Sequence, residues 1–460
     1  MQVKYLFPKE VGAVIKKFQK SRFEIYIIGG AVRDILMGRQ ISNWDFATNT
    51  TPSQILKIFP KAFYNNKFGT VGVETPLGIF EITTFRKEGK YADFRHPGKV
   101  EWGKTIDQDL ARRDFTINAM ALRLSSPARS KPILELIDPF AGQKDLGEKI
   151  VRAVGDPSKR FSEDALRLIR AVRIATELKF LIEEKTFAAI QANGELIKNI
   201  SGERIRDELF KILASQFPAD GLILLRNSRI SEQILPELEK CFGVEQASPG
   251  RHHIWDVGTH SFKSLEFCPS KDPLVRFATL IHDIGKPEVA GTGSAGEITF
   301  YNHEVVGAGI ARKISDRFHL SKKQRVKLVT LVRWHQFTVD EATTAAAARR
   351  FIRRVGIKNI ADMIDLRMGD RLGGGLKEAT SWRLKRFLKL VDQELHPPFS
   401  VTDLAIDGRN VMKILEIGPG PAVGEILNQL FEEVLEDRKK NSKEYLLKRL
   451  EEIKNQKLAS

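Results

Sequence analysis

The stretch that decides the fold of the N-terminal part is IYIIGGAVRDILMG, residues 25–38. A run of β-branched and aromatic residues leads into two glycines and then into a helical pattern. This order predicts a strand, a turn and a helix, which leaves backbone N–H groups free to hold a phosphate. Gly29 and Gly30 let the backbone approach a ligand closely, and Arg33 can bind phosphate with two guanidinium donors. A glycine pair after a strand is more often only a turn, so the following residues decide between the two interpretations.

Acidic and amide side chains follow shortly after the glycine pair. Asn43-Trp44-Asp45 occupies one short segment, and the strand FEITTF, residues 80–85, supplies Glu81. Residues two apart in a strand point to the same side, so Asn43 and Asp45 converge. With an acid from a neighbouring strand they predict a site of hard oxygen ligands for Mg²⁺. Two such ions would hold the attacking and leaving oxygens of an in-line displacement at phosphorus.

The pattern of apolar residues separates the first third from the rest. Short strand-like runs lie between turn residues at 23–30, 69–75 and 78–85, which predicts an α+β part with a mixed sheet. From about Gly142 onward, apolar residues recur at three- and four-residue spacing and predict an almost entirely helical remainder. Gly, Pro and Ser cluster at 243–253, 291–297 and 393–400, which indicates boundaries or long loops.

Composition limits the class of partner and the compartment. The 460 residues include 74 Lys and Arg against 58 Asp and Glu, a formal net charge of +16. Such an excess favours a polyanion as partner, with nucleic acid first, although a solvated basic surface explains the charge equally well. Cys241 and Cys268 are too few for a disulfide framework or a thiolate zinc site. Without a signal-like or membrane-spanning apolar run, we expect a soluble cytoplasmic protein with no membrane partner. No protein partner is evident from the sequence.

Two further motifs carry clustered charges. DLARRDFTINAMA, residues 109–121, joins two arginines to an aspartate and a following apolar run. FSEDALRLIRAVRIA, residues 161–175, repeats charged residues every three positions, which places neighbours on one side of a helix. Taken alone, the second motif is equally typical of a salt-bridged surface helix. Its charged members are Asp164, Arg167, Arg170 and Arg173.

These motifs resemble the class II tRNA nucleotidyltransferases and bacterial poly(A) polymerases of the polymerase-β-like superfamily. The family pattern GG-x-V-R-D followed by D-x-D is present from Gly29 to Asp34, but Asn43 stands where the first carboxylate belongs. Asn offers an oxygen without charge, so a metal at that place would be held more weakly, with Asp45 and Glu81 as the charged ligands. Glu74 is a nearby alternative that we expect on the solvent side.

The resemblance also implies roles for the arginine motifs. Arg113 would bind the triphosphate, with Asp114 and Asn118 at the sugar or in local scaffolding. Asp164 and Arg167 would select the base, because a carboxylate accepts from an exocyclic amine while a guanidinium donates to a ring acceptor, a combination that fits C or A. Arg170 and Arg173 would stack on or pair with the nucleotide. The basic loop at 86–102 is similar to loops of family members that add the complete CCA end.

A second group of metal-binding residue types lies between 256 and 370. It resembles the HD superfamily of metal-dependent phosphohydrolases and predicts a second divalent ion site, for Mg²⁺, Ni²⁺, Mn²⁺ or Fe²⁺. Lys286 could meet a phosphate. The alternative is a degenerate domain that only packs and contacts RNA. The group comprises His260, His282, Asp283, His303, His335 and Asp370.

From these observations we predict four regions: a nucleotidyltransferase head at 1–145, a helical neck at 146–245, an HD-type body at 246–375 and a helical tail at 376–460. The predicted function is addition of C, C and A from CTP and ATP to the 3′ end of tRNA, with Mg²⁺ in the head. Alternatives are a poly(A) polymerase, an enzyme adding only CC or only A, an HD phosphodiesterase with a weakened head, and a non-catalytic RNA-binding module.

Overall fold

The computed structural model describes residues 2–41, 43–64, 69–87, 101–126, 133–246, 254–294, 296–337, 339, 343–395 and 400–459. The chain forms two compact units, Met1–Pro236 and Glu237–Ser460. In the described ranges the strands are β1 (Gln2–Lys4), β2 (Ile25–Ile28), β3 (Asp45–Thr48), β4 (Phe63–Tyr64), β5 (Thr70–Thr75), β6 (Gly78–Thr84), β7 (Arg86–Lys87), β8 (Glu101–Trp102), β9 (Ala121–Ser126), β10 (Ile133–Ile137), β11 (Ile150–Val151), β12 (Leu181–Ile182), β13 (Gly291–Thr292) and β14 (Ile298–Thr299).

The α-helices of the first unit surround and follow the sheet. They are α1 (Lys9–Lys20), α2 (Gly30–Leu36), α3 (Pro52–Ile58), α4 (Ile106–Ala111), α5 (Gly142–Glu148), α6 (Pro157–Glu163), α7 (Leu166–Leu178), α8 (Glu184–Asn193), α9 (Gly202–Ala214), α10 (Pro218–Asn227) and α11 (Ile230–Ile234), and α12 (Pro236–Glu239) lies at the division between the units.

The second unit is built from helices. They are α13 (Val257–Phe267), α14 (Pro273–Ile281), α15 (Lys286–Val289), α16 (His303–Arg317), α17 (Lys322–Trp334), α18 (Ala345–Val355), α19 (Ile360–Gly373), α20 (Trp382–Gln393), α21 (Gly408–Leu415), α22 (Pro421–Glu436) and α23 (Lys443–Ala459).

The sheet of the first unit is mixed, as the sequence predicts. Its strand order is β1-β10-β9-β2-β3-β6-β5-β4. β3 and β6 pair in parallel, whereas β2 with β3 and β5 with β6 pair antiparallel. The predicted α+β first part with a helical remainder is confirmed.

Both faces of this sheet are covered, because successive residues of a strand point to opposite sides. Ile25 and Ile27 of β2 belong to a large apolar cluster that also contains residues of α1 and α2. Tyr26 and Ile28 belong to a second cluster, which includes Ile106 of α4. A sheet buried on both faces is rigid, so side chains at its strand ends keep fixed positions.

The helical remainder contains two small strand pairs that the sequence pattern did not predict. β11 pairs in parallel with β12, and β13 pairs antiparallel with β14 across the glycine-rich segment at 291–297. Each strand has only two residues, so none can show an alternation of period two. The first two residues of the glycine-rich segment therefore form one strand of a small antiparallel pair within the second unit.

The C-terminal helices have their own core. α23 contributes Leu446, Leu450 and Ile453 to an apolar cluster with α21 and α22. The charged last helix thus packs through these apolar residues. The four-region division stays a prediction, and most of the basic loop at 86–102 lies outside the described residues.

Candidate active site and metal centre

The turn after β2 lies close to the first site and has a backbone conformation that favours glycine. Gly29 has φ 68°, a left-handed conformation that glycine adopts without steric penalty. A Cβ atom there would lie 3.0 Å from Nη1 of Arg113 and 3.8 Å from Oδ2 of Asp45. The glycine turn, the arginine and the aspartate therefore meet at one place.

The parallel pairing of β3 with β6 brings the two predicted carboxylates together. Asp45 and Glu81 are direct partners in this register. The next residues, Phe46 and Ile82, are buried in the large apolar cluster, so the two acids lie on the opposite face. Burial raises the pKa of Asp45 against the lowering effect of Arg113 and Arg170, and burial together with Asp45 raises the pKa of Glu81. Neighbouring carboxylates whose negative charge is disfavoured form a natural cation site.

Asn43 is exposed and lies two residues before Asp45 at the start of β3. Glu74 is also exposed, on β5, where its pairing partner is Ile79. β6 separates β5 from β3, so Glu74 is one strand farther from Asn43 than Glu81 is. This position agrees with the expectation that Glu74 faces solvent.

The predicted phosphate-binding arginines are held by local partners. Arg33 donates to Oδ1 of Asp34 at 3.0 Å and to Oδ1 of Asn118 at 3.1 Å. Arg113 donates to Oδ2 of Asp109 at 3.1 Å, and its own Nε is buried without a hydrogen-bond partner in the described structure. A buried donor without an acceptor is costly, which marks Arg113 as a residue with unused binding capacity.

Asp109 is a site residue that sequence reasoning missed. Its buried carboxylate also accepts from Nε of Arg112 at 3.0 Å. Burial opposes the charged form, but Arg112 and Arg113 hold the pKa of Asp109 at about 2. The spacing was a usable signal, because an acid three and four residues before two arginines pairs with both on a helix.

The charged residues of α7 have partners from distant parts of the chain. Arg170 donates to Oδ2 of Asp114 at 2.6 Å, and this ion pair lowers the pKa of Asp114 despite its burial. Arg173 pairs with Glu177 at 2.7 Å and with Glu208 at 2.5 Å. Arg170 and Arg173 are thus held within a network of ion pairs, and Glu208 of α9 is a member that the sequence did not reveal.

Arg167 is also committed to protein partners. Its Nη1 donates to Oε2 of Glu163 and its Nη2 donates to the main-chain oxygen of Arg112, both at 2.8 Å. Arg167 therefore ties the start of α7 to the arginine motif after α4. Asp164, just before α7, is partly exposed, and its Oδ2 lies 3.3 Å from Nη2 of Arg204.

The second unit gathers all six predicted metal-binding residues, with Asp283 in the centre. Oδ2 of Asp283 lies 3.6 Å from Nε2 of His260 and 3.2 Å from Nε2 of His282. Its Oδ1 lies 3.3 Å from Nε2 of His303 and 3.5 Å from Nε2 of His335. Asp283 thus forms one group with His260 and His282 and a second group with His303 and His335. Each group is compact enough to hold a metal ion. One carboxylate with a different oxygen toward each histidine pair is the geometry of a bridging ligand.

The remaining residues complete the centre on one side. Oδ1 of Asp370 lies 3.2 Å from Nε2 of His260, and Nζ of Lys286 lies 2.6 Å from Oδ2 of Asp283. The carboxylates of Asp283 and Asp370 outweigh burial and raise the pKa of His282 to about 10. The carboxylates of this site thus favour a positive charge beside them, which a bound divalent cation would supply.

Main-chain carbonyls orient three of the histidine rings. In each, Nδ1 lies 2.7 to 2.8 Å from the carbonyl oxygen three residues earlier, which makes Nδ1 a donor and leaves Nε2 as the nitrogen that would bind a metal, in His282 once its Nε2 proton is lost. Because Nε2 faces Asp283, the rings point their metal-binding atoms inward. These histidines are His282, His303 and His335.

Close backbone contacts bring the ligands together. A Cβ atom on Gly369 would lie 2.5 Å from the carbonyl oxygen of Ser264, and one on Gly373 would lie 2.5 Å from the backbone N of Ser264. Both glycines lie in α19 against α13, so this packing sets the distance between Asp370 and His260.

A cavity of about 600 Å³ opens onto this centre. Asp283, His303, His335 and Asp370 form part of its wall, and cations, amides and an exposed tyrosine are among the other lining residues. Its size and polar lining suit a phosphorylated small molecule or the end of a nucleic-acid chain. The other lining side chains include Lys286, Arg367, Arg371, Gln246, Asn302, Gln336 and Tyr301.

The mixed sheet with its glycine turn, carboxylate pair and arginine motif defines a nucleotidyltransferase, here combined with an HD-type domain. Family models agree along the chain: "Poly A polymerase head domain" at 25–152, "Probable RNA and SrmB-binding site of polymerase A" at 179–242, "HD domain" at 251–367 and tRNA nucleotidyltransferase domain 2 at 388–450.

Relatives that match nearly the whole chain indicate the family more specifically than the models of single domains do. The CCA-adding enzyme of Lactobacillus helveticus is 31% identical over 441 residues and that of Pediococcus pentosaceus 31% over 440, with 96% of each relative covered and 96% and 95% of this chain. The chain belongs to the family of the CCA-adding enzymes.

Solved structures show the same fold. The crystal structure of the Bacillus stearothermophilus CCA-adding enzyme with CTP has a TM-score of 0.71 at 25% identity, covering 99% of this chain and 100% of that one. The Thermotoga maritima enzyme complexed with tRNA has a TM-score of 0.56 at 20% identity, covering 97% and 95%. In the described part of the chain, the helices are too short or too polar to cross a membrane.

The close packing of Gly373 in α19 against α13 can be tested by substitution. We expect Gly373→Val to force α19 away from α13, separate Asp370 from His260 and lower the divalent metal content of purified protein at least about tenfold. Gly309→Val in α16 is the control, because a Cβ there meets nothing within 4 Å. Metal analysis and thermal unfolding measure both variants. Equal metal content in the two would show that the close contact does not set the ligand distances.

Proposed function

We propose that this protein adds C, C and A to the 3′ end of tRNA, using CTP and ATP and releasing pyrophosphate. The observation that carries the proposal is the in-register pairing of Asp45 with Glu81 beside Gly29 and Arg113. The full-length likeness to CCA-adding enzymes supports the choice of substrate.

In this proposal the residues divide the work of binding and orientation. Asp45 and Glu81, with the amide oxygen of Asn43, offer the hard oxygen ligands that suit Mg²⁺. When bound, a pair of such ions supplies charge neutralisation at the attacking and leaving oxygens. Gly30, Arg33 and Arg113 bind the triphosphate. Asp164 and Arg167 select the base, for which Arg167 exchanges a contact with Glu163 or with the main chain of Arg112 for the base. Arg170 and Arg173 hold the surrounding segment through their ion pairs.

The first test removes the central carboxylate. We expect Asp45→Ala to lower incorporation of CTP into tRNA lacking its CCA end by about a thousandfold, because several kcal/mol of transition-state stabilisation are lost. Binding of the tRNA should change little, since basic surface elsewhere holds the RNA. Asp107→Ala, at an exposed acid of α4, is the matched control. Unaltered incorporation by Asp45→Ala would remove this residue from the site.

The second test concerns the amide at the first carboxylate position. We expect Asn43→Asp to restore a charged ligand and lower the Mg²⁺ concentration for half-maximal activity about tenfold, a change of about 1.4 kcal/mol in ion binding. Glu74→Gln should leave this concentration unchanged, because Glu74 lies on β5, which β6 separates from β3. A slower Asn43→Asp enzyme at every Mg²⁺ concentration would mean that the site is built around the amide.

We further propose that the second unit hydrolyses phosphoesters at RNA ends, independently of nucleotide addition. The arrangement of Asp283 between two histidine pairs supports this, and Lys286 at the cavity wall can meet a phosphate. Imidazole and carboxylate ligands fit borderline divalent ions such as Mn²⁺, Fe²⁺ or Ni²⁺ and also accept Mg²⁺. Such ions, when bound, lower the pKa of water toward neutrality.

The third test separates the two activities. We expect Asp283→Ala to abolish metal binding in the second unit and phosphodiesterase or phosphatase activity, while CCA addition stays within about twofold, because the two sites use different residues. Asp316→Ala is the control, since this acid of α16 is exposed and pairs with Arg325. Purified wild-type protein without metal in this unit and without hydrolysis across several added divalent ions would contradict the second activity.

A further inference from the structure

The cavity of the second unit has room for more than a phosphate group. Its volume is about 600 Å³, within the range of sites that enclose whole small molecules. His303 and His335 line this cavity together with the two aspartates of the metal centre. A ligand whose phosphate meets that part of the wall therefore extends away from the centre into the remaining space.

Tyr301 presents an aromatic ring to this space. It lines the cavity, and its side chain is 76% exposed. The neighbouring Phe300 is buried, and Nζ of Lys286 lies 5.4 Å from the centroid of its ring. The ring of Phe300 is therefore part of the wall, whereas the ring of Tyr301 is open to a ligand. Aromatic rings of this kind stack on planar groups.

The backbone on both sides of Tyr301 is fixed by the start of α16. Asn302 has φ 61°, and its carbonyl oxygen accepts from the N–H of Val306 at 3.1 Å. The carbonyl oxygen of Phe300 lies 2.8 Å from Nδ1 of His303, the histidine that faces the metal centre. The same contacts that orient this histidine thus hold the main chain of Tyr301. A side chain on a fixed backbone loses little conformational entropy when it binds a ligand.

Cations near the metal centre indicate where the phosphate would lie. Nζ of Lys286 lies 2.6 Å from Oδ2 of Asp283, and Nη1 of Arg367 lies 2.9 Å from Oδ2 of Asp370. An ammonium has three donors and a guanidinium has five, so each cation can donate to a phosphate oxygen as well. The phosphate is therefore expected at the centre, and Tyr301 is left for the group attached to it.

We propose that Tyr301 stacks on the base of a nucleotide whose phosphate lies at the metal centre, so that the second unit prefers nucleoside phosphates to phosphoesters without a base. This inference rests on the proposed hydrolysis of phosphoesters by the second unit. Every base has a π face, so stacking accepts all four bases. The substrate class is therefore the phosphate-bearing nucleotide, free or at the end of an RNA, rather than a sugar phosphate.

The experiment measures phosphate release from adenosine 3′-phosphate and from glycerol 2-phosphate, two monoesters of secondary alcohols of which only the first carries a base. We expect Tyr301→Ala to lower kcat/KM for adenosine 3′-phosphate about tenfold, mainly through a higher KM, and to leave glycerol 2-phosphate within about twofold. Uridine 3′-phosphate should show the same kind of loss. Tyr301→Phe should keep the wild-type values, because the ring is retained. Tyr64→Ala, at an exposed tyrosine of β4, is the control.

A binding measurement separates stacking from effects on the metal centre. Wild type and Tyr301→Ala, both depleted of metal, are dialysed against adenosine 3′-phosphate, and the second unit of the variant should bind it about tenfold more weakly. Nucleotide bound by the first unit cancels in this comparison, since that unit is the same in both proteins. The divalent metal content of the two proteins before depletion should be equal.

Three results would overturn the inference while the proposed hydrolysis stands: equal losses on the two esters, a lower metal content of Tyr301→Ala, or wild-type selectivity in that variant. The first two would mean that Tyr301 supports the metal centre rather than a base. If the wild type hydrolyses neither ester with any added divalent ion, the proposed hydrolysis fails. The dialysis then still decides the inference, because equal binding by wild type and Tyr301→Ala would show that the ring holds no base.

Discussion

The parallel register of β3 with β6 is the constraint on which the first site depends. It places Asp45 beside Glu81, and no other register of these two strands would do so. The pairing is fixed by the buried residues on the other face, because a shift by one residue would expose Phe46 and Ile82. The apolar core therefore determines the geometry of the polar site.

The arginines around this site follow from the same constraint. Asp45, Asp109 and Asp114 bring negative charge into a partly buried region, and each has arginine nearby. Buried carboxylates of this kind need cations or hydrogen-bond donors to stay ionised. Since Asp109 and Asp114 are already paired with arginines, Asp45 and Glu81 are the acids whose charge is left for a metal ion.

Much of this arrangement could be predicted from sequence, and the failures have a common cause. The glycine turn, the acids Asp45 and Glu81, and the six clustered histidines and aspartates of the second unit are encoded by local spacing or residue type. The partners of the α7 arginines are not, because Asp114 and Glu208 come from other segments of the chain. Three-residue spacing showed which side of the helix carries the arginines but could not show what lies opposite. The backbone contacts of Gly369 and Gly373 with Ser264 likewise exist only in the folded chain.

The two centres differ in how many ligands the protein itself provides. The first offers two carboxylates and one amide, the small set typical of Mg²⁺ sites that are completed by substrate phosphates. The second offers four imidazoles and two carboxylates, with three rings fixed by main-chain carbonyls. Such a set can hold its ions without a substrate. Ion binding at the first centre is therefore expected to depend on nucleotide, whereas ions at the second centre are expected to stay with the protein. Removing nucleotide, rather than adding chelator, therefore distinguishes the two centres.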